Sequence, residues 1–413
     1  MDRRTFSQLL ALGAGMFSAG HVEGNTAAAD DESGQGTGGL DAHEHGAADR
    51  EAWPASPVTI SDFIPLAKAK LPKATFEYIT SGSEDEVTLR DNVEAFRRMR
   101  ILPPLLHGVQ KTNLSTTVLG QQVSMPILLA PVAALRMFHP EGGRASARAA
   151  ASAGTICITS TSVGNSVEEI GAAANGPKWF QLYVPSDREL ARKLVKRAED
   201  AGYKALVVTV DLGERKDADL RNRFSLPKNM LLKHLRDIGH TKVSERNTYD
   251  ELVAFNAKAW DVSLSVDFFQ WLRRETKLPI ILKGVLTKEA VQQSIDLKLD
   301  GIVVSNHGGR RLDGMPASID MLKEVVEAAD EKLEVLFDSG VRRGGDVMKA
   351  LALGAKAVLI GRPQAWSLAA GGETGVKLAL EILRDELTNA MISSGCATVD
   401  DIDASLLLPA AMS

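Results

Sequence analysis

Short apolar runs recur along the chain from Met125 onward, and an alanine-rich stretch with helical spacing follows most of them. The runs are rich in valine, isoleucine and leucine and end in polar or glycine residues, as strands do. Eight runs can be counted, at residues 126–131, 155–160, 178–184, 205–211, 279–284, 301–306, 334–340 and 357–362. Strands that are apolar on both faces and alternate with helices are typical of a parallel sheet covered by helices. The pattern therefore predicts the α/β class and a single (β/α)8 TIM barrel.

The chain around these units carries further elements. Residues 60–101 show helical patterning, with Ser83-Glu84-Asp85-Glu86 typical of a helix start, and predict an N-terminal helical cap. The interval between the fourth and fifth runs is far longer than the others. Its polar, charged stretch at 227–249 predicts a long loop after strand 4 that covers the barrel mouth. The C-terminal stretch, including 375–394, is expected to form closing helices.

The first 29 residues differ in kind from the rest. Arg3-Arg4-Thr5-Phe6 is followed by an apolar run at 9–19 and then by Ala27-Ala28-Ala29, an order that resembles a twin-arginine export signal. The run is well short of the ~20 residues that span a bilayer, which disfavours a permanent anchor. A frayed N-terminal helix with two chance arginines is the alternative. We expect residues 1–29 to be a signal peptide and the protein to be periplasmic or secreted.

Residues 30–55 are predicted to form a disordered linker. The remaining residues, 56–413, are predicted to form the barrel with its helical cap. The tract 30–52 is rich in Gly, Asp, Ala and His and has almost no large apolar side chains. Folding it would therefore bury too little surface to offset the lost chain entropy. His43 and His45 form a His-x-His pair there, but two ligands in a flexible tract do not make a metal site. No metal is expected.

Composition excludes some partners. The 413 residues are 44% hydrophobic and 24% charged, which are ordinary values for a soluble globular protein. A net charge of −5 and a pI near 6.0 provide no basic field, so nucleic acid is not expected as a partner. Cys157 and Cys396 form neither a disulfide framework nor a metal-binding spacing, and we expect both to be small packing residues.

Polar residues concentrate at the ends of the predicted strands, where (β/α)8 barrels carry their reactive groups. His307 stands between Asn306 and two glycines, with Arg310 three residues on, and this setting favours a catalytic role over a structural one. Lys283 ends an otherwise apolar run. Because an ammonium without a partner is costly to bury, we expect Lys283 to meet an anionic ligand or cofactor. Asp211 ends the fourth run, and a buried carboxylate without a partner is costly in the same way, so we expect Asp211 to meet a positively charged or hydrogen-bonding group.

The residues that follow the last two predicted strands indicate a phosphate site. Arg342-Arg343-Gly344-Gly345 follows the seventh run and Gly361-Arg362 ends the eighth. Glycines expose backbone N–H groups, a helix start after Arg343 adds a positive dipole, and arginines add fixed charge. One phosphate group is expected there. From spacing alone, Tyr78 and Tyr183 could equally be core aromatic residues.

Together these residues resemble a known family. Ile281-Leu282-Lys283-Gly284 followed by Ser305-Asn306-His307-Gly308-Gly309-Arg310 is similar to the FMN-dependent 2-hydroxy acid oxidases and dehydrogenases, which include glycolate oxidase, lactate oxidase and the L-lactate and L-mandelate dehydrogenases. The resemblance extends over about residues 61–394 and includes Leu71-Pro72-Lys73, His139-Pro140-Glu141-Gly142, Phe180-Gln181-Leu182-Tyr183 and Asp338-Ser339-Gly340-Val341-Arg342-Arg343-Gly344. It implies an FMN-binding barrel that oxidises small, lactate-like L-2-hydroxy acids to 2-oxo acids.

The resemblance also implies catalytic and substrate-binding roles. His307 would remove a proton from the substrate, and Asp211 would stabilise the imidazolium that results. Arg310 would bind the substrate carboxylate through its guanidinium fork. Tyr78 and Tyr183 would supply hydroxyl hydrogen bonds to the substrate.

For the cofactor, the resemblance implies two sets of contacts. Lys283 would lie beside the flavin ring and favour its reduced form, with Ser305 near it. The ring would be lined by Ala130, Pro131, Val132, Ala133, Ser160, Gln181 and Thr209. The ribityl and phosphate groups would be held by Asp338, Arg342, Gly361 and Arg362.

Two positions depart from the family pattern. Members carry a second active-site arginine shortly after the strand-four aspartate, three residues before an acidic residue. Here the segment 211–219 is two residues shorter than in glycolate oxidase, and the count places Lys216 there, next to Arg215. Lysine keeps the charge and loses the bidentate geometry, so Lys216 is a candidate substrate-binding residue. Ser162 stands where glycolate oxidase has a bulky tryptophan over the substrate side chain, which predicts room for lactate or a larger acid.

Several alternatives stay open at this stage. The reduced flavin could pass electrons to oxygen, a quinone or a cytochrome, and family members are commonly homo-tetramers. An FMN barrel of another class, such as an isomerase of isoprenoid diphosphates, is the main rival, although its substrate lacks the carboxylate that Arg310 would bind. A non-catalytic flavin-binding module is the second rival.

Overall fold

The fold is described from a computed structural model that covers residues 56–211, 217–222 and 224–408. Several sequence-based predictions fall outside the described residues. They are the signal peptide at 1–29, the linker at 30–55 with His43 and His45, and the candidates Arg215 and Lys216.

A helical cap and a short hairpin precede the barrel. The cap consists of a 3₁₀ turn at Ile60–Asp62 and the helices α1 (Phe63–Lys70), α2 (Lys73–Thr80) and α3 (Val87–Arg98), within the predicted range. The hairpin is formed by β1 (Thr116–Val118) and β2 (Gln121–Val123), which pair antiparallel. The sequence patterns did not predict this hairpin, because strands of three residues are too short to show alternation.

Eight parallel strands close into the predicted (β/α)8 barrel. They are β3 (Ile127–Leu129), β4 (Cys157–Ser160), β5 (Lys178–Leu182), β6 (Leu206–Thr209), β7 (Ile280–Val285), β8 (Gly301–Val304), β9 (Glu334–Asp338) and β10 (Ala357–Ile360). Each strand pairs with the next along the chain, and β10 pairs with β3 to close the ring. Six of the eight end two residues before the predicted run ends, because the last residues of each run already belong to the loops of the barrel mouth.

Helices surround the barrel. They are α4 (Gly143–Ala153), α5 (Val167–Gly171), α6 (Arg188–Asp200), α7 (Asp217–Asn222), α8 (Lys228–Asp237), α9 (Tyr249–Ala257), α10 (Val266–Glu275), α11 (Lys288–Asp296), α12 (Ser318–Ala329), α13 (Gly344–Ala352) and α14 (Arg362–Ser393). Helix α14 is interrupted by non-helical backbone at Gly371 and Gly372, and its second half corresponds to the predicted closing helix. Short 3₁₀ turns occupy Leu135–Met137, Val399–Asp401 and Ala404–Leu406.

Side chains alternate along the barrel strands between two apolar clusters. One cluster takes one residue from the middle of each strand and fills the barrel interior: Leu128, Ile158, Trp179, Val207, Ile281, Val303, Leu336 and Leu359. Val118 and Val123 of the hairpin join this cluster, and the backbone N–H of Leu119 donates to the carboxylate of Glu334 at the start of β9. The hairpin therefore closes the amino-terminal end of the barrel. Neighbouring strand positions, such as Ile127 and Leu206, pack against the helices.

The cap is joined to the loop that follows β8. Asn92 of α3 and Asn306 exchange side-chain hydrogen bonds of 2.9 and 2.8 Å, and both amides are buried. The backbone N–H of Ser83 donates to the carbonyl of Gly309 at 2.9 Å. Gly309 has a φ of +69°, and a Cβ there would lie 2.6 Å from the backbone nitrogen of Leu89, so only glycine permits this approach. These contacts fix the backbone on either side of residue 307.

The long insertion after β6 differs from the prediction. The stretch 227–249, predicted as a polar loop, contains helix α8, which buries Leu231, Leu232 and Leu235. Leucines one and four residues apart line one face of a helix, and this spacing outweighs the high charge of the segment. The insertion does cover the barrel mouth, as expected, because Leu226, His234 and other residues of it line the cavity described below.

Two further features bear on the predictions. Cys157 and Cys396 are buried free thiols, in agreement with their expected packing role. Within the described part of the chain, none of the helices is both long and apolar enough to cross a membrane.

Candidate active site

A cavity of about 750 Å³ opens at the carboxyl ends of the barrel strands. Its wall contains residues from the first and last strand loops, the cap and the insertion after β6. Thirteen of the predicted site residues line it: Tyr78, Ala130, Pro131, Val132, Ala133, Tyr183, Lys283, His307, Arg310, Asp338, Arg342, Gly361 and Arg362. The position agrees with the rule that barrels carry their sites at this end.

His307, which lines the cavity, is paired with Asp211, which does not line it. The Nδ1 atom of His307 lies 2.9 Å from Oδ1 of Asp211, and only 16% and 11% of the two side chains are exposed. The backbone of His307 has a φ of +60°, a conformation that non-glycine residues adopt rarely and that occurs often at functional sites. The N–H of residue 307 donates to Oγ of Ser305 at 3.0 Å, which helps to hold this conformation.

The charges around His307 favour its neutral form. Burial lowers the pKa of His307 to about 4; Asp211 opposes this shift, whereas Arg311 and Lys283 add to it. For Asp211 burial acts to raise the pKa, but His307 and Lys283 outweigh it, so that the pKa lies below its ordinary value. Near neutral pH the pair is therefore an imidazole beside a carboxylate. Because a carboxylate at Nδ1 keeps the proton on that nitrogen, Nε2 is left with its lone pair available as a base.

Lys283 has a partner that the sequence argument did not provide. Its Nζ lies 3.1 Å from Oδ2 of Asp338 and donates to Oγ of Ser305 at 2.7 Å. The buried ammonium therefore also has a protein carboxylate beside it, because Asp338 comes from a strand two positions further along the barrel. The expected contact of Lys283 with an anionic ligand or cofactor stays a prediction. Burial opposes the charged form, but Asp338 and Asp211 raise the pKa of Lys283 above its ordinary value. The ammonium stays charged and lines the cavity.

Three arginines of the cavity have no carboxylate partner within the described residues. Arg310 donates from Nη1 to the carbonyl of Tyr78 at 2.7 Å and stacks over the Tyr78 ring at 4.9 Å. Arg342 donates to the carbonyl of Val341 and stacks over Trp366. Arg362 donates to carbonyls, including that of Gly308 at 2.8 Å. All three guanidiniums are thus held in place by neutral groups.

The positive charge of these three arginines favours the binding of an anion. Burial lowers the pKa of Arg342 to about 10, partly offset by Asp346. Burial also lowers the pKa of Arg362, and the charges of Arg310 and Arg342 lower it further. Helix α14 begins at Arg362 in the same corner, so its N-terminus adds a positive dipole. A phosphate group fits there. The first N–H of α13, that of Gly344, instead donates to the carboxylate of Glu386 at 2.7 Å. Arg343, also in the predicted phosphate motif, instead extends to Glu386 and is 55% exposed.

The predicted flavin-ring residues divide into two sets. Pro131, Val132 and Ala133 line the cavity directly. Ser160, Gln181 and Thr209 do not; they form a buried row in which Gln181 accepts from Ser160 at 2.9 Å and donates to Thr209 at 3.0 Å. Ser305 is buried beside Lys283.

These features fit FMN. The uncompensated arginines and the N-terminus of α14 suit a phosphate, and the apolar strand-one loop opposite Lys283 suits a ring with one polar edge. FMN, when bound, accepts the two electrons that leave a substrate. The residues that would hold it are Pro131, Val132, Ala133, Lys283, Asp338, Arg342, Gly361 and Arg362.

Both tyrosines lie in the cavity rather than in the core. The ring of Tyr78 stacks on Phe224 of the insertion at 4.1 Å between centroids. The hydroxyl of Tyr183 accepts a hydrogen bond of 2.8 Å from Arg311, and its ring contacts Trp260 edge-on at 5.8 Å. Ser162 also lines the cavity.

Sequence reasoning missed part of the cavity wall. Arg311 lines it next to Arg310, and the insertion contributes Phe224, Leu226, His234, Trp260 and Val262. The signal for Arg311 was present, since it is the second of two consecutive arginines after the histidine. The insertion residues carry no comparable signal, because their position depends on how the long segment folds back over the barrel.

Comparison with known proteins agrees with this geometry. Residues 67–409 match the family described as FMN-dependent dehydrogenase. The chain is 48% identical over 358 residues to human 2-hydroxyacid oxidase 1, covering 85% of this chain and 96% of that protein. It is 48% identical over 346 residues to glycolate oxidase 3 of Oryza sativa subsp. indica, covering 83% and 94% of the two chains.

Solved structures give the same result. A mandelate oxidase crystallised with (S)-4-hydroxymandelic acid superposes with a TM-score of 0.78 at 39% identity, over 85% of this chain and 98% of that one. The fold, the cofactor and the general reaction implied by the sequence resemblance are thereby confirmed. The chain belongs to the FMN-dependent dehydrogenase family and is an FMN-dependent oxidoreductase of L-2-hydroxy acids.

Proposed function

We propose that this enzyme oxidises L-2-hydroxy acids whose side chains are larger than that of glycolate, from lactate to acids with an aromatic group. The observation that carries the proposal is the small Ser162 side chain in a cavity whose lining includes apolar side chains from the insertion after β6. These apolar residues are Phe224, Leu226, Trp260 and Val262. Apolar surface of this kind favours an apolar substrate side chain by roughly 25 cal/mol for each Å² removed from water.

The proposed roles of the polar residues follow from their contacts. Nε2 of His307 takes the proton from the substrate, and Asp211 stabilises the imidazolium; the 2.9 Å contact between the two side chains supports this assignment. Arg310 binds the substrate carboxylate. In support, its guanidinium lines the cavity and its described partners are backbone carbonyls, which leave the positive charge uncompensated. Tyr78 and Tyr183 donate hydroxyl hydrogen bonds to the substrate.

Oxygen is the proposed electron acceptor. The relatives named above are oxidases by name, at 48% identity, and this supports oxygen over a quinone or a cytochrome. Lys216 remains a candidate second cation at the substrate. We also propose a homo-tetramer, which size-exclusion chromatography with light scattering would test; a monomer would contradict it.

The substrate proposal is tested with the purified, FMN-loaded protein and a panel of glycolate, L-lactate, L-2-hydroxybutyrate and L-mandelate. The initial rate of hydrogen peroxide formation in air is measured for each acid. We expect a higher kcat/KM for L-lactate and L-mandelate than for glycolate. Turnover of glycolate alone would contradict the size argument. Flavin reduction without peroxide formation would contradict oxygen as the acceptor and redirect the search to quinones and cytochromes.

The two rival functions make different predictions in the same assay. An isomerase of isoprenoid diphosphates would leave all four acids unchanged, and so would a non-catalytic flavin-binding module. The His307–Asp211 pair beside an uncompensated Arg310 favours a carboxylate substrate that loses a proton.

We further propose export through the twin-arginine pathway. The support is Arg3-Arg4-Thr5-Phe6 followed by a short apolar run, ahead of the residues 67–409 that match the family. Replacement of Arg3 and Arg4 by lysine is the test, with fractionation of cells that express the full chain. Retention of the variant inside the cell with export of the parent chain is expected, and equal distribution would contradict the proposal.

A further inference from the structure

Arg311 reaches the two groups that face the substrate. Its Nη2 donates to Oη of Tyr183 at 2.8 Å and lies 3.5 Å from Nε2 of His307. Its guanidinium carbon lies 5.8 Å from the centre of the Tyr183 ring. Arg310, one residue earlier, is held on the other side by the carbonyl of Tyr78. The two consecutive arginines therefore act on different parts of the cavity.

The contact with Tyr183 fixes the direction of its hydroxyl proton. A guanidinium has donors only, so the phenol oxygen must accept the hydrogen bond from Arg311. The proton of the hydroxyl is then directed at another acceptor. Since Tyr183 lines the cavity, a substrate oxygen is such an acceptor. The positive charge of Arg311 also makes the phenol a stronger donor.

The contact with His307 acts on the base. Because Nδ1 faces Asp211, Nε2 is the nitrogen on the side of Arg311 and Tyr183. Among the described residues, the charged groups that act on the imidazole are Asp211 from the loop after β6, Lys283 from β7 and Arg311 from the loop after β8, with the phenol of Tyr183 beyond. A cation 3.5 Å from Nε2 disfavours a second proton on the ring.

We propose that Arg311 is a positioning residue of the oxidation, which directs the Tyr183 hydroxyl at the substrate and keeps Nε2 of His307 unprotonated before an anionic substrate binds. The inference rests on the proposed function, because it assigns Nε2 as the base and Tyr183 as a donor.

The first test compares Arg311→Gln with Arg311→Lys in the FMN-loaded full chain. The readout is the pH dependence of kcat/KM for anaerobic flavin reduction by L-lactate. In R311Q the acid limb is expected to move to higher pH by about one unit, since a neighbouring cation has been removed. R311K keeps the charge, so its acid limb is expected to stay close to that of the parent enzyme. Arg97→Gln removes an exposed surface charge and is expected to change neither limb nor rate.

The second test is a double-mutant cycle with Tyr183→Phe. If Arg311 acts through the Tyr183 hydroxyl, Y183F costs a smaller factor in kcat/KM in the R311Q background than in the parent enzyme. The FMN content and visible spectrum of each variant control for misfolding. The proposal would be overturned if R311Q and Y183F lowered kcat/KM by independent factors and the acid limb of R311Q did not move. Arg311 would then be a structural residue.

The two levels of failure are distinguishable. If none of the 2-hydroxy acids reduces the flavin of the parent enzyme, the proposed function fails. If the parent enzyme is active but the Arg311 variants keep the parent pH profile and show no coupling to Tyr183, only the role of Arg311 fails.

Discussion

The Nδ1 atom of His307 lies 2.9 Å from Oδ1 of Asp211, although the two residues are separated by 96 positions along the chain. The barrel brings them together because β6 and β8 both end at its mouth, on either side of β7. The carboxylate fixes the tautomer and orientation of the imidazole, so the opposite nitrogen, Nε2, is the proposed base. The predictions below depend on this pair and on the cations around it.

Replacement of His307 by Gln is expected to slow anaerobic flavin reduction roughly 10²–10⁴-fold or more, the range that a positioned general base contributes. FMN binding is expected to persist, because the arginines at the phosphate corner are unchanged. Stopped-flow measurement of flavin reduction by L-lactate gives the rate, and bound FMN is quantified after denaturation. Asp211→Asn is also expected to slow flavin reduction. Reduction at the parent rate in H307Q would contradict the assignment of the base.

The pH dependence of the parent enzyme follows from the low pKa of His307, about 4. Since the base must be unprotonated, activity is expected to be present above this pKa and to fall as the pH falls through it. The acid limb of kcat/KM, which reports the free enzyme, is therefore expected near pH 4 and not near the ordinary histidine value of 6.5. An acid limb at or above pH 6.5 would contradict the electrostatic description of the cavity.

The phosphate corner is tested by Arg342→Met, with Arg343→Met as a matched control. Arg342 lines the cavity without a carboxylate partner in the described residues, whereas Arg343 extends to Glu386 at 3.0 Å. R342M is expected to lower FMN affinity at least tenfold, by loss of a charge-assisted hydrogen bond of about 1.5–3 kcal/mol. R343M is expected to leave the FMN affinity almost unchanged.

Binding of riboflavin, which lacks the phosphate, provides a second control for the phosphate corner. Fluorescence titration of each apoprotein gives both affinities. R342M is expected to reduce the preference for FMN over riboflavin. Equal loss of FMN and riboflavin binding in R342M would indicate general damage to the site.

Ser162→Trp tests the determinant of substrate size. The larger ring would occupy the space next to the apolar wall that includes Trp260 and Leu226. We expect kcat/KM for L-mandelate to fall by a larger factor than that for glycolate, because overpacking is costly only for the bulky substrate. The ratio of the two kcat/KM values is the measurement, and glycolate serves as the control within the same variant. An unchanged ratio would show that Ser162 does not face the substrate side chain.

Much of the fold could be predicted from the sequence, because strand and helix periodicities are local. The eight apolar runs each overlap one observed strand, and the helical range at 60–101 contains the cap helices. Helix α8 was mistaken for a loop because its many charged residues masked the spacing of Leu231, Leu232 and Leu235. Hairpin β1–β2 is recognisable only from the way Val118 and Val123 close the barrel interior.

The candidate site divides in the same way. His307, Arg310 and Arg342 stand in motifs that are contiguous in sequence, so they could be identified directly. The pairing of Lys283 with Asp338 joins residues from strands two positions apart in the barrel, and the apolar wall around Trp260 depends on the path of the insertion. Such contacts arise from tertiary structure, which local spacing does not encode.

If this barrel removes two electrons from L-2-hydroxy acids with His307 as the base, its bound flavin is reduced by these acids in the absence of oxygen. The purified full chain, loaded with FMN, is mixed without oxygen with L-lactate, D-lactate or L-mandelate, and the flavin absorbance is followed. Rapid bleaching by the L-acids, little by D-lactate, and loss of bleaching in H307Q are the predicted results. A correctly loaded flavin that stays oxidised with every acid would contradict the account.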